Sequence, residues 1–452
     1  MNKKLKTISG SIVAPKGFLA GSVFCDIKRL GTGKGSNKGQ KRDLALIVSK
    51  VPAPVAGMFT TNQVCAAPVK VCVERVKKGV AQAVVVNSGN ANACTDRQGL
   101  RDALEMTRLV EQTLGLRAGL ALVGSTGRIG VALPMANVKH GIFEAAKLLG
   151  SSLRHADQAA EAIMTSDTKL KQIAVEFKLG GKTVRMGGIC KGAGMIQPGM
   201  SATGKRPAAT SLHATMLCFI TTDAAIEAKT LQAALQGAVA QSFNRITVDG
   251  DMSTNDTVLV LANGLAGNRK IRNRKSEIGN FQAALNHVCL ELAKMIVRDG
   301  EGVHRVVTVR VNGAKSFADA DAAARAVANS ALVKTSWHGG DPNWGRIIDA
   351  LGYSTAKVVE GKVDIGYSAT AAAKKTSARQ AGSRKILWSL KRGQPTKIPF
   401  KKLCSAVASK EFDLHIYLNL GKAGTVIYAA DLTEAYVDFN KGDIANPTSL
   451  GG

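Results

Sequence analysis

Thr215 follows the small residue Ala214 and precedes the apolar run Met216 to Ile220, at the end of a polar segment that starts at Lys191. A threonine opening a buried strand is ordinary. If the chain cuts itself between Ala214 and Thr215, the same residue acquires a hydroxyl nucleophile and an α-amino base together. An α-amine titrates at about 7.7–8.0, against about 10.4 for lysine, so its neutral form is accessible near pH 7. In such a cut the hydroxyl attacks the Ala214 carbonyl carbon, and the bond to the Thr215 nitrogen breaks as the acyl group moves to oxygen. Water then hydrolyses the ester. A competing pair, Ala202-Thr203, lies nearer the proline of GMIQPGM. It is followed by Gly-Lys-Arg instead of an apolar strand, so Thr215 is favoured.

Two further groups suit acyl transfer. A tetrahedral intermediate needs donors aimed at its developing oxyanion. In GSTGRIG (124–130) a strand ending in Ser-Thr-Gly can present the Thr126 hydroxyl and the Gly127 N–H together. The same letters also describe a plain glycine turn. Lys191 opens KGAGMI. A lysine on glycine-rich backbone can bind a carboxylate, or bias a nearby amine toward neutrality by like-charge repulsion. The bland reading is a surface lysine. Neither KGAG nor GTGKGSNKG (31–39) has the spacing of a phosphate-binding loop.

KGAGMI followed by ATMLCFITTDA resembles the self-cleavage and acyl-transfer signature of the ornithine acetyltransferase family, the bifunctional glutamate N-acetyltransferases of arginine biosynthesis, or ArgJ family. DLALIVS (43–49), VVNSGNANACT (85–95), GSTGRIG, FNRITVDGDMSTNDT (243–257), RDGEG (298–302), DPNWGR (341–346) and DLTEAYV (431–437) follow in the family's order. The resemblance thus spans nearly the whole chain. It implies Thr215 as nucleophile, Thr126 and Gly127 as oxyanion hole, and Thr165, Lys191, Thr215, Glu301 and Asn440 as substrate-binding residues. The implied reaction moves acetyl from N2-acetylornithine to L-glutamate through an acetyl-threonine. No bound cofactor or metal is implied, and acetyl-CoA serves as a second donor in bifunctional members.

The implied chains are an α-chain, 1–214, and a β-chain, 215–452, in an α2β2 heterotetramer, the β-chain including a smaller C-terminal substrate-binding region. The implied fold is a layered helix–sheet sandwich, and the implied compartment the cytoplasm. The chain departs from the family in an inserted segment, Ser201 to His213, in GVHR after Glu301, and at Ala445, where the family carries a hydroxyl residue. Two other functions remain open on the residues: an N-terminal-nucleophile amidohydrolase or aminopeptidase, in which water is the acceptor, and a basic nucleic-acid-binding protein.

The elements that must position these groups mix helix and strand throughout, which gives an α/β or α+β class. Strands are expected at 81–86, 120–124, from Met216, at 257–264 and at 305–311. A hairpin is expected around Gly180-Gly181, and helices at 102–114, 155–164, 229–243, 280–300 and 317–331. The tail reads as short strands around Gly421 to Gly424. No apolar run reaches the roughly 18 residues of a membrane span. The eight cysteines form no CxxC pair and the seven histidines no paired ligand spacing, which argues against structural zinc and disulfides. The formal charge of +28 suits a nucleic-acid partner, but aromatics make up only 4%, too few for stacking platforms along a strand. A basic surface that concentrates anionic substrates accounts for the charge more simply.

Overall fold

A computed structural model of the chain describes residues 5–28, 41–205, 216–272, 275–369 and 386–441. Ala214 and Thr215, most of the inserted segment, Ala445 and a run rich in lysine and arginine, Lys374, Lys375, Arg379, Arg384 and Lys385, lie outside the described residues. The strands are β1 (Lys6–Ile8), β2 (Phe18–Val23), β3 (Leu44–Thr60), β4 (Val80–Asn90), β5 (Ala121–Arg128), β6 (Lys171–Leu179), β7 (Lys182–Lys191), β8 (Met200–Ser201), β9 (Leu217–Thr222), β10 (Ile246–Thr247), β11 (Thr257–Ala262), β12 (Val306–Ala314), β13 (Asp364–Ala369), β14 (Leu387–Lys391), β15 (Gln394–Pro395), β16 (Glu411–Tyr417) and β17 (Ala423–Ala430). The class is mixed α/β, as expected from the sequence.

The residues fall into two compact units. The first holds the described residues up to Asn244 together with Asp251–Ile296, and the second holds Arg245–Gly250 with Val297–Lys441. In the first unit a mixed sheet runs β1-β6-β7-β9-β11-β3-β4-β5, with β2 and β8 also paired to β3. β4 with β5 and β9 with β11 are parallel pairs. β6 and β7 form the expected hairpin, turning on Gly180 and Gly181 at φ 54° and 79°. Consecutive positive φ values are what a tight hairpin turn of the right twist requires. DLALIVS proves to be the start of a 17-residue strand, β3. Its ladder with β4 shifts register between Val48 and Ala53, a stretch that contains Pro52. A proline cannot donate to a ladder and is tolerated in sheets at such irregularities. Helices Ala67–Val76, Asp96–Thr113 and Met135–Lys147 pack on strands of this sheet. The first and third are not among the helices expected from sequence.

In the second unit the sheet order is β10-β17-β12-β16-β13-β14-β15. Helix Phe317–Asn329 covers β12 and β17, seating its alanines 320, 323, 324 and 328 in the core. Small side chains at this helical spacing let helix and sheet approach closely. The DPNWGR block serves locally as a helix start: the Asn343 side chain accepts from the Arg346 N–H and caps helix Trp344–Gly352. No helix among the described residues is long and apolar enough to cross a membrane.

Candidate active site

β9 begins one residue after Met216, and its neighbours define the surroundings of that end. On one side Lys191, the last residue of β7, is paired with Leu217. On the other side β11 runs parallel, with Thr257 opposite Leu217. The Thr257 N–H donates to the Met216 carbonyl, and the Met216 N–H donates to Asp256 Oδ1. The chain therefore enters β9 between a lysine and an aspartate.

Lys191 is 3% exposed, so the surface-lysine reading does not describe it. Its Nζ donates to Thr126 Oγ1 at 3.2 Å and lies 4.0 Å from Asp167 Oδ2. Asp167 is a hub. Its Oδ1 accepts from Lys171 Nζ at 2.6 Å and from the Gly192 N–H at 2.7 Å, and its Oδ2 accepts from the Thr165 N–H at 2.9 Å. One buried network thus joins Thr126, Lys191 and Thr165, three of the residues singled out from sequence. Burial alone would raise the Asp167 carboxyl, but Lys191, Lys171 and the Gly192 amide overcome it and hold the group well below the usual carboxylate range. Removing one member of a buried ion cluster leaves the others uncompensated, at a cost of about 3–5 kcal/mol. Asp167→Ala is therefore expected to lower the thermal unfolding midpoint by several degrees at pH 7. Because the folded-state pKa is depressed, the stabilisation is present above the ordinary carboxylate pKa of about 3.9 and is lost on further acidification. The wild-type and variant midpoints should converge at low pH. A variant melting like wild type at pH 7 would remove the hub role.

Thr126 and Gly127 close β5. Thr126 is buried, and Lys191 occupies an acceptor position on its oxygen. A threonine hydroxyl has one O–H donor and two lone pairs, so its own proton stays available to another acceptor. Gly127 has φ 132°, and a Cβ there would sit 2.3 Å from the Gly89 carbonyl carbon. Only glycine fits, and it lets the β4 and β5 ends close on each other. The NSGNAN stretch supports this corner. Ser125 Oγ donates to Asn87 Oδ1, Asn87 Nδ2 donates to the Asn90 carbonyl, and Asn255 Nδ2 donates to the carbonyls of Ala91 and Ser125. Asn255 and its neighbour Asp256 thus brace both Thr126 and the start of β9.

Thr165 and Asp167 also line a cavity of about 160 Å³ with Lys28, Lys41 and Glu161. Charges of both signs in so small a space suit a zwitterion. Lys28 is buried, donates to the Arg42 carbonyl and is lowered to about 8 by burial. A larger cavity, about 290 Å³, is lined by Lys16, Lys50 and Arg185 and holds none of the network residues.

Glu301 and Asn440 belong to the second unit and meet there. Asn440 Nδ2 donates to Glu301 Oε2 at 3.1 Å. Gly302, at φ 65°, makes the contact possible, since a Cβ would stand 2.2 Å from the Tyr436 nitrogen. Its carbonyl accepts from Thr433, which caps helix Glu434–Phe439. The RDGEG and DLTEAYV blocks are therefore two halves of one contact. Thr203, the competing position, lies exposed in the turn after β8 and accepts from the Lys205 N–H.

A mixed α/β chain with a buried hydroxyl and a glycine amide at one strand end, tied by a lysine to the entry of another strand, has the makings of an acyl-transfer enzyme. The ArgJ family model matches residues 29–442, and the chain belongs to that family. It is 44% identical over 436 residues to the arginine biosynthesis bifunctional protein ArgJ of Symbiobacterium thermophilum, covering 96% of this chain and 99% of the relative. It is 43% identical to the glutamate N-acetyltransferase of Methanocaldococcus jannaschii, with the same coverage of each. Among solved structures, the ornithine acetyltransferase of Mycobacterium tuberculosis in complex with ornithine is similar over 44% of this chain and all of its own, at 35% identity and a TM-score of 0.39. The chain is accordingly a transferase of arginine biosynthesis.

Proposed function

We propose that the chain cuts itself between Ala214 and Thr215 and then transfers acetyl from N2-acetylornithine to L-glutamate through an acetyl ester on Thr215. The observation that carries this reading is the Lys191–Thr126 hydrogen bond, which ties a hydroxyl donor to the strand directly following Thr215. Thr215 Oγ attacks the acetyl carbonyl carbon while the α-amine, directly or through water, takes the hydroxyl proton. The Thr126 hydroxyl and the Gly127 N–H stabilise the oxyanion. The C–N bond breaks, ornithine leaves with the proton on its amine, and the glutamate amine attacks the ester to restore the hydroxyl. Thr165, Lys191, Glu301 and Asn440 bind the amino-acid parts of donor and acceptor. Acetyl-CoA loads the same hydroxyl as a second donor. The two chains assemble as an α2β2 heterotetramer in the cytoplasm.

A covalent intermediate splits the reaction, so initial-rate plots for acetylornithine and glutamate should be parallel. Acetylornithine alone should add one acetyl group to the fragment starting at Thr215. Glutamate should discharge it much faster than water does. Dominant discharge to water would make the chain an amidohydrolase, and intersecting plots with no trapped ester would make the transfer direct.

A further inference from the structure

His338 belongs to the second unit and takes no part in the mechanism above. It lies half-buried in the last turn of helix Ala331–Gly339, with a carboxylate at each ring nitrogen. Nε2 is 2.9 Å from Glu434 Oε2, and Nδ1 is 3.5 Å from Asp431 Oδ2. Nδ1 and Oδ2 are buried atoms, and neither has a hydrogen-bond partner among the described residues. Two such atoms facing each other call for a reason. A neutral imidazole donates from one nitrogen only, whereas an imidazolium donates from both. The charged ring is therefore the form that serves both carboxylates, and the last turn of a helix favours a cation.

The other charged groups around the ring are few. His304, with ring centres 5.3 Å apart, comes from the GVHR stretch in which the chain departs from its family. Lys334, one turn earlier on the same helix, is buried and donates to the Ala430 carbonyl; burial lowers it to about 8, against the pull of Asp249 and Asp431. Arg305 packs beside Gly340 at the helix end and donates to the Val407 carbonyl. Asp438 lies one turn beyond Glu434 and opposes its charge.

The two carboxylates bracket the start of the helix that ends at Asn440. Asp431 is fixed in place, its Oδ1 accepting from the N–H groups of His304 and Arg305. Glu434 is exposed and is the first residue of helix Glu434–Phe439. Asn440 ends that helix and donates to Glu301. We infer that His338 is a positioning residue for substrate binding: its imidazolium ties Glu434 to Asp431 and so seats the helix that brings Asn440 to Glu301. The inference rests on the substrate role proposed above for Glu301 and Asn440. It accounts for the two unmatched atoms, since a small turn of the ring closes their gap into a hydrogen bond.

The test compares the full-length protein with Glu434→Gln, His338→Gln, the double variant and Asn440→Ala, reading KM and kcat for acetylornithine and glutamate. Loss of binding common to ground and transition states raises KM and leaves kcat unchanged. Glu434→Gln should raise KM about two- to fivefold, the scale of an exposed ion pair. His338→Gln should raise it about tenfold, because the buried Asp431 oxygen also loses its donor. The double variant should be no worse than His338→Gln, since both changes break one contact. The KM gap between each glutamine variant and wild type should narrow as pH rises through about 5–8, the span in which imidazoles lose their charge. Lys334 is present in every variant, so its titration cancels from the comparison. A gap that stays constant over that span overturns the inference, because a packing role would not depend on pH. A fall in kcat with KM steady overturns it too, as does an unchanged KM in Glu434→Gln when Asn440→Ala raises KM. If His338→Gln does not fold, the pH course of the Glu434→Gln gap decides. An unchanged KM in Asn440→Ala is a separate failure: it removes the substrate role of Asn440, and the inference with it.

Discussion

Thr215→Ala should remain a single chain of 452 residues and transfer no acetyl group above background. Two functions are lost at once. Without the hydroxyl there is no attack on Ala214, and without the cut there is neither an α-amine to serve as base nor an ester to carry acetyl. Removing a nucleophile of this kind abolishes the covalent route, and losses of about 10⁶ in kcat accompany such removals elsewhere. Thr215→Ser keeps the hydroxyl and should still cut, more slowly. Wild type should appear as 1–214 and 215–452 by mass. The proposal fails if Thr215→Ala yields the same two pieces, or if uncut protein turns over at the wild-type rate.

The second large effect belongs to Thr126. Thr126→Ala should lower kcat by about 10²–10³ with little change in substrate affinity, because an oxyanion-hole donor acts on the transition state. The fold should survive, since the change removes a hydroxyl and a methyl from one strand end. The alanine also leaves Lys191 Nζ without one acceptor, although Asp167 stays 4.0 Å away. Thr126→Ser preserves both the proton donor and the acceptor and should recover most of the rate. If alanine and serine behave alike, the hydroxyl takes no part. If KM rises while kcat holds, Thr126 binds substrate without serving the transition state.

Much of this organisation is legible in the amino-acid sequence. Alternation and helical spacing mark the β6–β7 hairpin, β9, β11, β12 and the long helix that proves to be Lys275–Arg298. These elements announce themselves because their apolar pattern is local. Helices Ala67–Val76 and Met135–Lys147 do not stand out in the same way. In the first, Val69, Val71 and Val73 alternate as they would in a strand, and the second carries Gly141 in its interior. The length of β3 is hidden by Pro52, which reads as a break and is absorbed by a register shift.

Asp167 stands two residues after Thr165 and four before Lys171, but its other lysine, Lys191, comes to it from the far end of β7, which nothing nearby in sequence shows. Asp256 and Asn255 sit in STNDT without an evident role for the same reason. Their partners Met216 and Ala91 are 40 and 164 residues away.

By itself the sequence determined the family and the candidate residues, because ordered motifs, a small residue before Thr215 and glycines beside polar groups are properties of the chain order. It also set the mixed α/β class, through periodicity. What the tertiary structure decided was which candidates meet. Parallel pairing of β9 with β11 brings Asp256 to Met216, and antiparallel pairing with β7 brings Lys191 beside Leu217. From there the lysine side chain reaches Thr126, 65 residues away in sequence. Glu301 and Asn440 meet 139 residues apart because Gly302 admits the helix that carries the asparagine. Such contacts depend on strand register and on close backbone approach, and neither is encoded in any local stretch of sequence.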